Sequence, residues 1–334
     1  MYLSMINKGL HTVLEKFLIN DSSSKLRLIG MDDVINDFED LQYHVVTYSS
    51  EAKGTNGTAP ETTQDVILEL HVQVTDVNYW LSNRNDIIDN LHQRFPSHQD
   101  NYTLITERHE KLKEGHDFAF IINCTKVCLM ESKKLNELIL SLSKLRTYVL
   151  GARLCRTLSL LSSSASVSNR HKIANDVAVF HLPVRKHRGA CLIIRHGSDR
   201  VSIIFDVHYN DINERAIART YLKHFSDLSR HCEYRKWNDL PTELKQLDRQ
   251  SLKDERGAIN LKCSNISAGF LVFTFSANED FDDDRSMTTT NFMIMFLINL
   301  QMQVKATKTD LYARVRHNGD MFLARFTNRE QMKS

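Results

Sequence analysis

Fifteen histidines and six cysteines are the residues of this 334-residue chain best suited to metal binding, acid–base transfer or nucleophilic attack. Their spacing decides which of those chemistries is open. His109-Glu110 is followed by five residues before His116, which misses the i, i+4 histidine pair of a helical zinc protease. His224 and His231 lie seven apart near a helix end and read as surface histidines. Asp282-Asp283-Asp284 lacks the interleaved glycine and closing glutamate of a calcium loop, so it reads as the acidic start of a helix. Cys124, Cys128, Cys155, Cys191, Cys232 and Cys263 contain no CxxC pair and no zinc-knuckle spacing, and Cys128 has only Lys126 as a basic neighbour. They read as reduced thiols. The dinucleotide fingerprint, the P-loop and the nucleophile elbow are all missing from the sequence. The expectation is a chain with no catalytic residues, no metal site and no cofactor, and hence not an enzyme.

The charge pattern is more informative. The formal net charge is only +2, yet residues 305–334 carry seven Lys/Arg against three acids. Lys305, Lys308, Arg314, Arg316, Arg325 and Arg329 are therefore candidates for contact with an acidic surface. Just upstream, Phe292-Met293-Ile294-Met295-Phe296-Leu297-Ile298-Asn299-Leu300 is apolar nearly all round. A helix apolar on every side is buried on every side. If its own sheet covers one face, then Phe292, Met293, Phe296, Leu297 and Leu300 meet another protein chain.

The elements that must position these residues repeat. Asp65 to Val74 reads as a strand followed by a helix ending Leu91-His92-Gln93-Arg94-Phe95, and Asp199 to Tyr209 reads as a strand followed by a helix ending Tyr221-Leu222-Lys223-His224-Phe225. Such an internal echo implies a duplicated unit. An amphipathic helix opens the chain within 5–20, a strand covers 38–48, and a Gly/Thr/Ala/Pro loop fills 49–64. A short strand at 102–106 and one long helix over 132–161 close the first half as a ββαβα unit. Strands over 177–182, 190–195, 202–209 and 269–276 build the second, with weak pairing at 234–236. The expected class is α+β: two similar α/β domains, with mixed or antiparallel sheets flanked by helices, and a long C-terminal helix. Their expected spans are 1–161 and 177–284, joined by a serine-rich linker at 162–176 and followed by the helix and basic tail at 285–334. Apolar residues at 42% and charged residues at 25% suit a soluble globular protein. Lys8, Glu15 and Lys16 interrupt the N-terminal apolar content, so no signal sequence is read there, and no run approaches the ~20 residues that span a bilayer.

Several stretches carry a resemblance. These are Asp199-Arg200-Val201 with Phe205, the helix 217–225, Leu240-Pro241-x-Glu243-Leu244, Gly269-Phe270-x-x-Phe273, and the tail Lys305, Lys308, Arg314-Val315-Arg316, Phe322-Leu323. In that order and spacing the chain resembles the subunit 2 family of the actin-related protein 2/3 complex. Phe38-x-x-Leu41-x-Tyr43-His44 and Val149-Leu150-Gly151 fit more loosely. The resemblance implies a scaffold subunit that heterodimerises with subunit 4 through its last helix. It also implies that the pair grips the mother actin filament during nucleation of branched networks. The partners would be the other subunits of the complex and the actin filament, with no nucleic acid and no membrane insertion. The location would be cytoplasmic and cytoskeletal, at actin-rich projections or cortex. Residues 115–130 look additional to the family pattern, and Asn318 and Ala324 stand where relatives often carry lysine. The competing reading is a tandem βα RNA-binding protein, which would stack bases on strand aromatics.

Overall fold

A computed structural model describes residues 6–19, 29–37, 40–50, 65–96, 101–106, 112–164, 176–180, 189–196, 200–229, 231–246, 266–276 and 281–331. They form two compact units, Met1–Ser159 with Asp283–Phe292, and Leu160–Asp282 with Met293–Ser334. Ser49 and Ser50, expected to open the loop 49–64, end a strand instead, and the rest of that loop and most of the serine-rich linker fall outside the described residues. Ser162 to Ser164 are the last residues of a helix.

In the first unit β1 (Asp32–Asp37), β2 (Leu41–Ser50), β3 (Asp65–Val74), β4 (Tyr102–Ile105) and β5 (Phe118–Asn123) form one sheet in the order β1-β2-β3-β5-β4. Every pairing in it is antiparallel. The period of two puts Val66, Leu68, Leu70, Val72 and Val74 of β3 on one buried face, beside Tyr43 and Val45 of β2 and Phe118 and Phe120 of β5. Helices α1 (Lys8–Leu18) and α2 (Val77–Arg94) contribute Leu14, Phe17, Trp80, Ile87 and Leu91 to the same core. Asn7 caps α1 and Asp76 caps α2, each side chain accepting from a backbone N–H three residues on. After the short helix α3 (Cys124–Val127) come α4 (Ser132–Ser143), α5 (Leu145–Leu150) and α6 (Ala152–Ser164).

Three local expectations change here. No strand was expected at 118–123, yet β5 sits between β3 and β4 and pairs with both. β1 was not foreseen, because Asp32-Asp33-Val34-Ile35-Asn36-Asp37 is a charged edge strand without apolar alternation. The single helix expected over 132–161 is three. Ser143 Oγ bonds back to the carbonyl of Ile139 at 2.7 Å, and both Lys144 and Gly151 leave helical geometry with ψ near zero.

The second unit repeats the order: β6 (Asp176–Phe180), β7 (Gly189–His196), β8 (Arg200–His208), β9 (Cys232–Arg235) and β10 (Ser267–Ser276) lie as β6-β7-β8-β10-β9, again antiparallel throughout. Helix α7 (Ile212–Leu228) follows β8 as α2 follows β3, and the short α8 (Thr242–Gln246) follows β9. The last element is α9 (Asp283–Gln331), 49 residues long. The structure thus shows the α+β class with two similar units and a long C-terminal helix. Seven consecutive residues of β8, Val201 to Val207, are buried, so this sheet is covered on both faces. Leu192, Ile194, Ile204, Phe270 and Val272 pack with Leu244 and Leu240 on one side.

Two polar clusters are built into the first unit. Asp40 and Arg146 are both buried and pair at 2.7 Å. Burial raises the Asp40 carboxyl to about 6 despite the guanidinium. Opposite the apolar face of the sheet, the rings of His44, His71 and His116 lie 5.6–6.0 Å apart. Asp32 faces His44, Glu69 lies 3.0 Å from His71, and Lys113 Nζ lies 3.1 Å from His44. Burial lowers the pKa of His71 and of His116. A histidine with a depressed folded pKa stabilises the fold above its unfolded pKa, and that stability is lost as pH falls. The urea midpoint of the chain is therefore expected to drop between pH 7.5 and 5.5. The double variant His71→Gln/His116→Gln should flatten that slope, and an unchanged slope would refute the assignment.

Candidate functional site

Without catalytic motifs, the candidate site is the surface that α9 presents. Its first turn is tied down by Asp283, which takes a bidentate pair from Arg94 that holds the Asp283 carboxyl below its usual range. Ser286, Met287, Thr290 and Asn291 are buried, with Thr147 Oγ1 donating to Asn291 Oδ1 at 3.1 Å. From Met293 on, the helix belongs to the second unit. Phe296 enters an aromatic cluster, its ring 5.3 Å from Phe205, 5.4 Å from Phe225 and 5.8 Å from Phe273. Met293, Leu297, Leu300 and Val304 are buried too.

This places the apolar residues expected at a partner surface. Met293, Phe296, Leu297 and Leu300 are filled by the chain's own residues, while Phe292 is half-buried. The premise that one sheet covers only one face of the helix does not hold, since five residues in a row, Met293 to Leu297, are buried inside this chain.

Beyond Val304 the helix is fastened by polar contacts to α7. Tyr221 and Thr307 hydroxyls lie 2.8 Å apart, and Lys308 Nζ donates to Asp211 Oδ2 at 2.8 Å and Glu214 Oε1 at 3.0 Å. Asp211 is also the cap of α7, so one carboxylate holds the start of one helix and the middle of another. The mutual pull raises the Lys308 pKa above its usual value and lowers that of Asp211. Asn213 Nδ2 reaches the Tyr312 hydroxyl at 3.2 Å and ties the next turn to α7.

From Thr309 to Met321 every residue is exposed. Leu297, Leu300 and Val304 form a buried seam, and Leu311 and Val315 extend the same 3–4–7 spacing past the fold. Val315 is 69% exposed and Leu323 63%. Sequence reading missed this extension because it weighed the apolar run and the basic run separately. The signal was present in the continuing spacing. Among the basic candidates, Lys308 is engaged within the chain. Arg314 pairs with Asp310 at 2.9 Å while remaining largely exposed, and Lys305 and Arg316 are exposed. Eleven residues apart, Lys305 and Arg316 fall within about 20° of one another around the axis. Arg325 and Arg329 lie on the helix, outside the described side chains.

The model for "Arp2/3 complex, 34 kD subunit p34-Arc" matches residues 81–333. The chain belongs to the p34-Arc family. No curated protein matches the chain closely enough to count as a relative. The p34-Arc match begins inside α2 and takes in β4, β5, the second unit up to residue 333 and all of α9. The strand aromatics that an RNA-binding reading needs, Phe205, Phe270, Phe273 and Phe275, are buried and offer no stacking platform. Among the described residues no helix is long and apolar enough to cross a membrane.

Because Phe296 closes the aromatic cluster, Phe296→Ala should cost the second unit about 3–5 kcal/mol, read from denaturant unfolding. A loss below about 1 kcal/mol would mean that the cluster is not a core.

Proposed function

We propose that this chain is a structural subunit of the Arp2/3 complex, which puts it in the cytoplasm with the actin cytoskeleton during filament nucleation. One observation carries the reading: around and beyond the contact of Tyr312 with Asn213 of α7, α9 exposes apolar Leu311 and Val315 to solvent. A helical extension of this kind is marginal alone in water and needs a partner to bury its stripe. The partner we assign is the complex's subunit 4, whose helix would cover the seam continued by Leu311 and Val315. Of the residues that the sequence nominated for this contact, only half-buried Phe292 keeps partial solvent access. The pair would meet the side of the mother filament through Lys305, Arg314 and Arg316, with Arg325 and Arg329 further along the helix. Exposed cations on one element steer toward acidic actin and make salt-sensitive rim contacts.

Leu311→Asp/Val315→Asp should leave the fold intact by circular dichroism and abolish co-purification with subunit 4. Retained co-purification would place the partner elsewhere. In assembled complex, Arg314→Glu/Arg316→Glu should weaken co-sedimentation with filaments several-fold at moderate salt, in line with about 0.2–1 kcal/mol for each exposed pair. Unchanged pelleting would remove these arginines from the filament contact.

A further inference from the structure

The second unit holds a groove that this reading leaves unused, with a volume of about 660 Å³. One wall is α7, where Arg219, Lys223 and Asp227 follow one another at four-residue intervals with His224 beside them. The other is the edge strand β9 and the turn after it, which supply Tyr234, Lys236 and Trp237. The wall is built in place by a bulge. Gly269 has φ +128°, and a Cβ there would lie 2.6 Å from the Tyr234 ring and from the Arg235 carbonyl oxygen. Tyr234 therefore packs against bare backbone, its hydroxyl donating to the Ala268 carbonyl at 3.0 Å and its N–H to Ser226 Oγ at 3.0 Å. Arg219 Nη2 donates to the neighbouring Ser267 carbonyl at 3.2 Å, while its Nε is buried without a hydrogen-bond partner.

The groove is rich in donors and poor in acceptors. Arg219, Lys223 and Lys236 bring three basic side chains and Asp227 is the one carboxylate in the lining. Among the described residues the side chains of Lys223, Lys236 and Trp237 have no polar partner. An occupant must therefore bring several acceptor oxygens and more than one negative charge. Phosphate esters meet a guanidinium fork and ammonium groups in that way. The half-buried Trp237 offers an apolar wall for a carbon ring between them. The geometry points to a binding site for a compact, multiply phosphorylated ring, either a soluble inositol polyphosphate or the headgroup of a phosphoinositide.

The test uses the full chain in its assembled complex, with inositol hexakisphosphate followed by calorimetry, and vesicles with or without a bisphosphorylated phosphoinositide followed by flotation. Lys223→Glu/Lys236→Glu should weaken binding about tenfold or more, as expected for two lost charge-assisted contacts. Charge reversal at Lys133 and Lys134, exposed on α4 in the other unit, should not. Binding of the soluble anion alone assigns a metabolite site, and flotation with phosphoinositide vesicles alone assigns a lipid headgroup. The proposal is overturned if neither probe binds, or if the groove variant binds as the wild type does. It is equally overturned if the variant loses filament pelleting with no anion binding to lose, which would make the groove part of the filament surface.

Discussion

The seating of Phe296 among Phe205, Phe225 and Phe273 is the contact on which the rest of the molecule depends. It joins the central strands β8 and β10, helix α7 and helix α9 in one apolar cluster, with ring geometry that adds about 0.5–1.5 kcal/mol per pair beyond area burial. Because α9 is rigid over several turns, fixing it at Phe296 fixes where its later residues emerge. Val304 is still inside the fold, and by Thr309 nothing is. The function assigned to the exposed stretch follows from where the helix is held, more than from the composition of the stretch alone.

Electrostatics refines that boundary. Counted along the sequence, Lys308 looks like any other member of a basic tail. In the fold it sits against Asp211 and Glu214 at the N-terminal end of α7, where its charge is matched and its side chain mostly covered. It anchors the helix and is not free for a partner. Lys305 and Arg316, on a solvent face of the same helix, stay available. Neighbouring cations in one run thus take opposite roles, because helical phase and an adjoining N-cap carboxylate separate them.

Much of the fold was legible. The strand–helix echo correctly located β3 with α2 and β8 with α7, since alternation and helical spacing are local signals that survive duplication. The shared order of both sheets could not be seen. β5 is six residues of Phe-Ala-Phe-Ile-Ile-Asn, too short for periodicity to distinguish it from a buried loop or helix turn. β1 is a polar edge. Once both are placed, residues 118–123 become the counterpart of β10, which the second unit shows in the same position.

By itself, the sequence determined the α+β class, the doubled strand–helix unit, the long apolar-then-basic final helix and the family resemblance. These rest on periodicity, composition and motif order, all properties of neighbouring residues. Tertiary structure decided which apolar residues of that helix face inward, which cations are already paired, and that a glycine bulge in β10 seats Tyr234 beside a row of cations on α7. Burial and pairing are set by residues up to about a hundred positions apart, such as Asp211 with Lys308. No local pattern carries that information.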